Sequence, residues 1–322
     1  MKKRIDTNPY LSEFTNDVKN CDLLIVGGGN AIFDLTRYSL SAYRINRILS
    51  IAKEYDKKVF ITSIGIGPFK TKKQIDYTID TLRLADYITV RDKKSFKYIE
   101  TLNNTSYLSI DPAFLLKKVT LDDVKDSNKT KEISICIIDL FLNKESAKRY
   151  QEYISSFVAL IDELDKENCI INLYSTEPRD YRAVYDVYNK LENKNNVRVN
   201  KIGNFNELIK LYSQTDLVIG TRMHSMIIAL SQFIPVIGLS WQDKVTEMFD
   251  MVNLSEDVFD SNRFEKEIPN IINLVNEKLN NEQSIDQLKN IKHENEKRFE
   301  INIKLLKNLV EMEEIRVNNG EK

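Results

Sequence analysis

The strongest constraint in this sequence is an alternation. Short apolar runs at 22–26, 58–63, 86–90, 106–110, 133–138, 169–174, 197–200, 217–220 and 236–239 have the length of strands. Between them lie longer segments at 39–55, 73–85, 92–102, 144–164, 180–192, 204–214, 222–232 and 242–251, whose apolar residues recur at helical spacing. Runs that are apolar throughout suit strands buried on both faces, and strand–helix repetition winds a parallel sheet. The expectation is an α/β protein built on parallel sheets.

A length of 322 residues is more than one small domain needs and accommodates two α/β lobes. The charged stretch 117–131, with the sequence KKVTLDDVKDSNKTK, breaks the alternation and reads as a linker. It separates an amino-terminal lobe, 1–116, from a second lobe, 132–255. After about Asn253 no further strand is expected. Residues 256–322 read as a helical carboxy-terminal extension, with Ile268, Ile271, Ile272 and Val275, then Ile301, Leu305 and Leu309, forming one apolar face for packing on the lobes.

Charge narrows the function. Lysine and arginine number 47 against 48 acids, without a basic run, so nucleic acid is not an expected partner. Any anion must be held by a few placed groups. The cysteines Cys21, Cys136 and Cys169 form no redox or metal-ligand pair, which fits a reducing cytoplasm. The opening MKKRIDTNPYLSEF lacks the apolar stretch of a signal peptide, and no run is long enough to span a membrane. A cytoplasmic protein is expected.

Ligands of open α/β sheets gather beyond the carboxyl ends of the strands, so the residues just after each strand are the candidates for a site. Gly27-Gly28-Gly29-Asn30 follows the first strand without the spacing of a dinucleotide fingerprint. It is either a tight turn or a place where backbone N–H groups approach a ligand. Gly65-Ile66-Gly67-Pro68 opens the backbone after the second strand, and by itself a turn without a ligand explains it. The junction Gly220-Thr221-Arg222-Met223-His224-Ser225 says more. Thr221 is the expected N-cap, and Arg222 and His224 fall in the first helical turn. A cation is disfavoured there unless an anion accompanies it, so the cluster reads as an anion site with a proton donor. Lys244, in Trp241-Gln242-Asp243-Lys244 after the following strand, either reaches the same anion or is a solvated lysine. Arg91-Asp92 ends the third strand; Asp92 reads as an N-cap, and Arg91 either pairs with an acid or faces a ligand. His293 sits in a charged helix, no zinc set is present, and no GxSxG elbow supports a serine hydrolase.

These motifs, in this order, resemble the polysaccharide pyruvyl transferase family: GGG with Asp34 after it, GIGP, RDKKS, Asp111-Pro112-Ala113, and GTRMHSMIIALSQFIPVIGLSWQDKV. The resemblance covers roughly residues 20 to 250, and the Arg222–His224 segment is its most specific part. It implies two Rossmann-like lobes facing a cleft, as in the GT-B glycosyltransferases. It also implies phosphoenolpyruvate as donor, a sugar hydroxyl pair of a surface or exopolysaccharide precursor as acceptor, and no cofactor. Carried onto this chain, His224 is the acid and Arg222 binds the donor's phosphate or carboxylate. Lys244, Thr221, Ser225, Gly28, Gly29, Asn30, Gly65, Gly67 and Arg91 line the substrate sites. Two departures stand out. Trp241 takes the place of a tyrosine, and the family's opening strand with an Asn-x-Gly-Asp loop has no counterpart before Cys21. The first lobe is thus expected to be shortened, with an exposed sheet edge that a second copy could cover. A glycosyltransferase using a nucleotide sugar, or a non-catalytic relative, would share the fold.

Overall fold

The structure is a computed structural model that describes residues 5–119, 130–140, 146–280 and 284–318. The expected linker falls largely outside these residues. The chain divides into two compact units, residues 1–112 with 295–322, and residues 113–294.

The first unit carries five parallel strands: β1 (Leu23–Gly27), β2 (Asn30–Ile32), β3 (Lys58–Ile66), β4 (Tyr87–Val90) and β5 (Ser106–Leu108). Strand β2 was not expected from the sequence, where Asn30 was assigned to a loop. The start of β3 pairs with β1, Leu23 opposite Lys58 through Gly27 opposite Thr62, and its end pairs with β2, Asn30 opposite Gly65. Two kinks make this possible. Gly28 and Gly29 take φ of 78° and 62°, while Ser63 in β3 takes 51°, next to a register shift against β4. Only glycine reaches that region without strain, so the glycine pair is explained by the turn between strands, and a Cβ at either position would meet open space.

One face of this sheet (Val59, Ile61, Ile88, Val90) packs under α2 (Ser41–Glu54), α3 (Lys72–Leu82) and α4 (Lys93–Ile99). A further helix, α1 (Tyr10–Asn20), precedes β1 and buries Val18. The opposite face shows Phe60, Tyr87 and Tyr107 to Leu305 and Leu309 of the last helix, α11 (Ser284–Asn318). Among these apolar residues Asn302 is buried, accepting from the hydroxyls of Thr62 (2.9 Å) and Thr89 (2.5 Å) and donating to Ser109 (2.5 Å). The extension is therefore not one appendage: residues from 295 onward complete the first unit, while α10 (Phe264–Asn280) packs in the second against α5 (Ala147–Lys166).

The second unit holds six parallel strands in the order β11-β10-β9-β6-β7-β8: β6 (Glu132–Cys136), β7 (Ile170–Ser175), β8 (Val197–Lys201), β9 (Leu217–Gly220), β10 (Val236–Ser240) and β11 (Val258–Asp260). Strand β11 corrects the expectation that strands end near Asn253; its three residues are too few for a periodicity to register. Helix α6 (Tyr181–Lys190) follows β7 and α7 (Phe205–Gln214) follows β8. Helices α8 (Met223–Ser231) and α9 (Asp243–Met251) follow β9 and β10, burying Met226, Ile227, Val245 and Phe249. From β6 the chain winds outward through β7 and β8, then returns to start again at β9 on the other side. The carboxyl ends of β6 and β9, Cys136 opposite Gly220, thus form the reversal point where α/β sheets open a crevice.

Candidate functional site

At that reversal point the chain leaves β9 through Gly220, where a Cβ would collide with the Met226 side chain. Thr221 is fully buried. Its hydroxyl accepts from the Ile138 N–H (2.9 Å) and donates to the Cys136 carbonyl (2.8 Å), stitching the ends of β6 and β9. Thr221 is therefore not the N-cap; Arg222 holds that position, with φ −96° and ψ 118° and no side-chain cap bond. The Thr221 side chain is spent on a neighbouring strand whose proximity the local sequence does not reveal.

Arg222 turns its guanidinium onto one oxygen of Asp180, with Nε at 2.7 Å and Nη2 at 2.5 Å. Asp180 is 1% exposed and also accepts from the Ser175 hydroxyl (3.0 Å) and the Asp139 N–H (3.2 Å). The Arg222 side chain stays 25% exposed. The anion that the sequence required beside this cation is thus supplied in part by the protein. Beside it, buried Asp139 accepts two bonds of 2.7 Å from Arg182. Sequence reading passed over Asp180, Asp139 and Arg182. The available signal was an acid or arginine just after an apolar strand, here β6 or β7, in the same half as Arg222.

His224 is the second residue of α8 and is exposed. The helix start beneath it is braced. The Ser225 hydroxyl donates to the Arg222 carbonyl (2.6 Å), and the Ser225 carbonyl accepts from Tyr212 (2.8 Å), whose hydroxyl lies 2.6 Å from that of Tyr174. Burial raises the pKa of both tyrosines well above the ordinary value, so they stay neutral. Ser225 is buried too, so its side chain shapes the loop from behind. Burial likewise pushes the Cys136 thiol up to about 11, which makes it a poor nucleophile at neutral pH.

Lys244 is exposed in the first turn of α9, its ammonium 5.8 Å from the Trp241 ring. The Trp241 indole donates to the Thr221 carbonyl (3.0 Å), which ties the Lys244 loop to the Arg222 loop. Neither α8 nor α9 is capped by its own side chain. A helix start without a side-chain cap suits an anion.

In the first unit, the structure gathers Asn30, Gly65 and Arg91. Arg91 is buried and pairs with Asp111 (2.5 Å), a second guanidinium nitrogen lying 3.4 Å from the Asn30 side-chain oxygen. A Cβ on Gly65 would collide with Asn30 and press on Arg91, so this glycine is needed for close approach. Gly67 packs on the Tyr98 ring, and the Ile66 N–H donates to Ser95 (2.8 Å). Gly28 and Gly29 form the turn into this cluster, and the Gly29 carbonyl accepts from the Gly65 N–H (2.8 Å). Among the described residues, no group of His, Cys, Asp and Glu is arranged to hold a metal, and no helix is long and apolar enough to cross a membrane.

Known proteins match this description. The amylovoran biosynthesis protein AmsJ of Erwinia amylovora is 26% identical over 306 residues, covering 88% of this chain and 72% of that protein. Among solved structures, the UDP-GlcNAc 2-epimerase of Methanocaldococcus jannaschii superposes with a TM-score of 0.56 at 13% identity, covering 84% of this chain and 76% of the other. The UDP-GlcNAc 2-epimerase of Neisseria meningitidis gives 0.50 at 11% identity, covering 91% and 82%. These structures share the fold, two parallel-sheet α/β domains of the GT-B type. The model of the polysaccharide pyruvyl transferase family matches residues 1–243, more than half of the sequence, and the chain belongs to that family.

Proposed function

We propose that this chain transfers pyruvate from phosphoenolpyruvate to two hydroxyls of a sugar in a polysaccharide precursor, forming a ketal, in the cytoplasm. The observation that carries the reading is the Arg222–Asp180 pair. It fixes a partly exposed guanidinium beside exposed His224, at the reversal point of the second sheet. In this reading the donor site belongs to the lobe 132–255.

His224 protonates the methylene carbon of phosphoenolpyruvate, and the neighbouring carbon takes up a first sugar hydroxyl as that hydroxyl loses its proton. Phosphate leaves with its bonding electron pair. The second hydroxyl then closes the ring and releases its proton, so donor and diol become ketal and inorganic phosphate. A placed general acid contributes a factor on the order of a hundred to ten thousand. Arg222, Lys244 and the starts of α8 and α9 hold the charge gathering on the departing phosphate. Thr221 and Ser225 keep that loop in place. Asn30, Gly65, Gly67 and Arg91 form the substrate-lining group of the first unit, with Gly28 and Gly29 setting the turn into it.

Calorimetric titration with phosphoenolpyruvate tests the donor assignment. The expected result is saturable binding that weakens at least about tenfold in Arg222→Ala, the loss of a charged hydrogen bond. Equal affinity in the variant would remove Arg222 from the site. Nucleotide-sugar binding lost in Arg222→Ala, with no affinity for phosphoenolpyruvate, would make the chain a glycosyltransferase instead.

A further inference from the structure

The loops at the carboxyl edge of the first sheet carry a charge pattern that the donor chemistry does not use. Residues 33–44 follow β2, residues 67–75 follow β3, and residues 91–95 follow β4. Across them Arg37, Arg44, Lys70, Lys72, Lys73 and Lys93 are exposed. No acid in these segments is exposed: Asp34 is buried and accepts from Ser41 (2.9 Å), and Asp92 caps α4 through the Ser95 N–H (2.7 Å). The first exposed acid along any of them is Asp76, in the second turn of α3. The chain as a whole is near neutral, with a net charge of −1. At the equivalent edge of the second unit, by contrast, Arg222 and Arg182 are matched by Asp180 and Asp139. The cations of the first edge are therefore concentrated, not a sample of the surface average.

These loops are held together. The Asp34 N–H donates to the Pro68 carbonyl (2.9 Å), Gln74 donates to the Thr36 carbonyl (2.9 Å), and Thr36 bonds Ser39 (3.0 Å). That scaffold fixes the Arg37 loop beside Lys72 and Lys73 at the start of α3. Within the same loop, Leu35 and Tyr38 are 60% and 69% exposed. An exposed aromatic ring on a tied loop offers a face for the C–H side of a sugar, next to cations suited to phosphate.

We propose that this edge binds a saccharide carrying a diphosphate, with Arg37, Lys70, Lys72 and Lys73 on the diphosphate and Tyr38 under the sugar. The proposal rests on the family reading for its role: such a molecule is the precursor that receives pyruvate. A diphosphate reaches a saccharide from either of two sources, a lipid carrier or a nucleotide, and the chemistry at this edge is the same for both.

The test is titration of the full chain with inorganic diphosphate, in the wild type and in Arg222→Ala to remove the second anion site. The triple variant Arg37→Ser, Lys72→Ser, Lys73→Ser changes exposed side chains only. It is expected to bind diphosphate about tenfold more weakly, from three exposed charge pairs, and to keep its affinity for phosphoenolpyruvate. Tyr38→Ala is expected to weaken a sugar diphosphate while leaving inorganic diphosphate unchanged. A farnesyl-diphosphate-linked hexose competing better than a UDP-hexose identifies a lipid-borne acceptor, and the reverse order a nucleotide-borne one. No diphosphate binding, or equal binding in the triple variant, overturns the proposal. Phosphoenolpyruvate binding at Arg222 would stand in that event, and its loss would leave the diphosphate result intact, so the two readings fail separately.

Discussion

Asp180 shows how much of a site depends on residues far away in sequence. It lies 42 positions before Arg222, in the turn after β7, and only the parallel order of β7, β6 and β9 brings the two together. The motif around Arg222 and His224 was legible because glycine, arginine and histidine stood together at a strand end. Its buried partner was not, since one acid among 48 Asp and Glu carries no local mark. Replacing Asp180 by asparagine keeps the shape but removes the charge that orients Arg222. The expected result is a loss of about 2 kcal/mol in urea unfolding, since one partner is only partly desolvated, and a raised KM for phosphoenolpyruvate. Thr221→Val should cost about 1–3 kcal/mol in the same measurement, because it leaves the Ile138 N–H and Cys136 carbonyl without their hydroxyl partner. An unchanged midpoint in either variant would mean that these contacts do not form.

The elements were mostly readable where periodicity had room to appear. Four-residue β9 and five-residue β6 stood out because every position is buried and, Glu132 apart, apolar or small. Strands β2 and β11 escaped notice because, unlike three-residue β5 in the run 106–110, no strand-length apolar run marks them, and their pairing is decided by the strand beside them. Helix α1 was hidden by its polarity; of its eleven residues only Val18 is buried. Strand β3 contains a cost that the sequence does not advertise. Ser63 sits at φ 51° with its hydroxyl buried and, among the described residues, unpartnered. Ser63→Gly should therefore raise stability by about 1 kcal/mol, visible as a higher denaturation midpoint, by relieving the backbone and removing the orphan hydroxyl. In α11, Leu305→Ala should cost about 2–5 kcal/mol, because it opens a cavity against Phe60.

For the molecule as a whole, the sequence conveyed two α/β sheets and a helical close, but not which sheet the last helix serves. Its apolar stripe was plain in Ile301, Leu305 and Leu309; an amphipathic face announces that it is buried, and its partner is settled only by the aromatic surface of Phe60, Tyr87 and Tyr107. Folding also sorts the 3 cysteines. Cys136 and Cys169 are buried with their thiols shifted upward by burial, and Cys21 is half-exposed. At pH 8 a thiol reagent should titrate one group quickly in the native protein and all three after denaturation. Rapid native labelling of more than one would contradict the packing around β6 and β7.

That the first unit is assembled from residues 1–112 and residues beyond 294 carries a consequence for its birth on the ribosome. Synthesis is vectorial, at about 5–20 residues per second, and domains condense as they emerge. The continuous second unit is free to condense as soon as it clears the exit tunnel. The sheet made before it must wait some tens of seconds, with an oily aromatic flank uncovered, for a helix encoded after the whole of its neighbour. The part translated first is thus the part finished last, and in a crowded cell that interval is when a chaperone would find it.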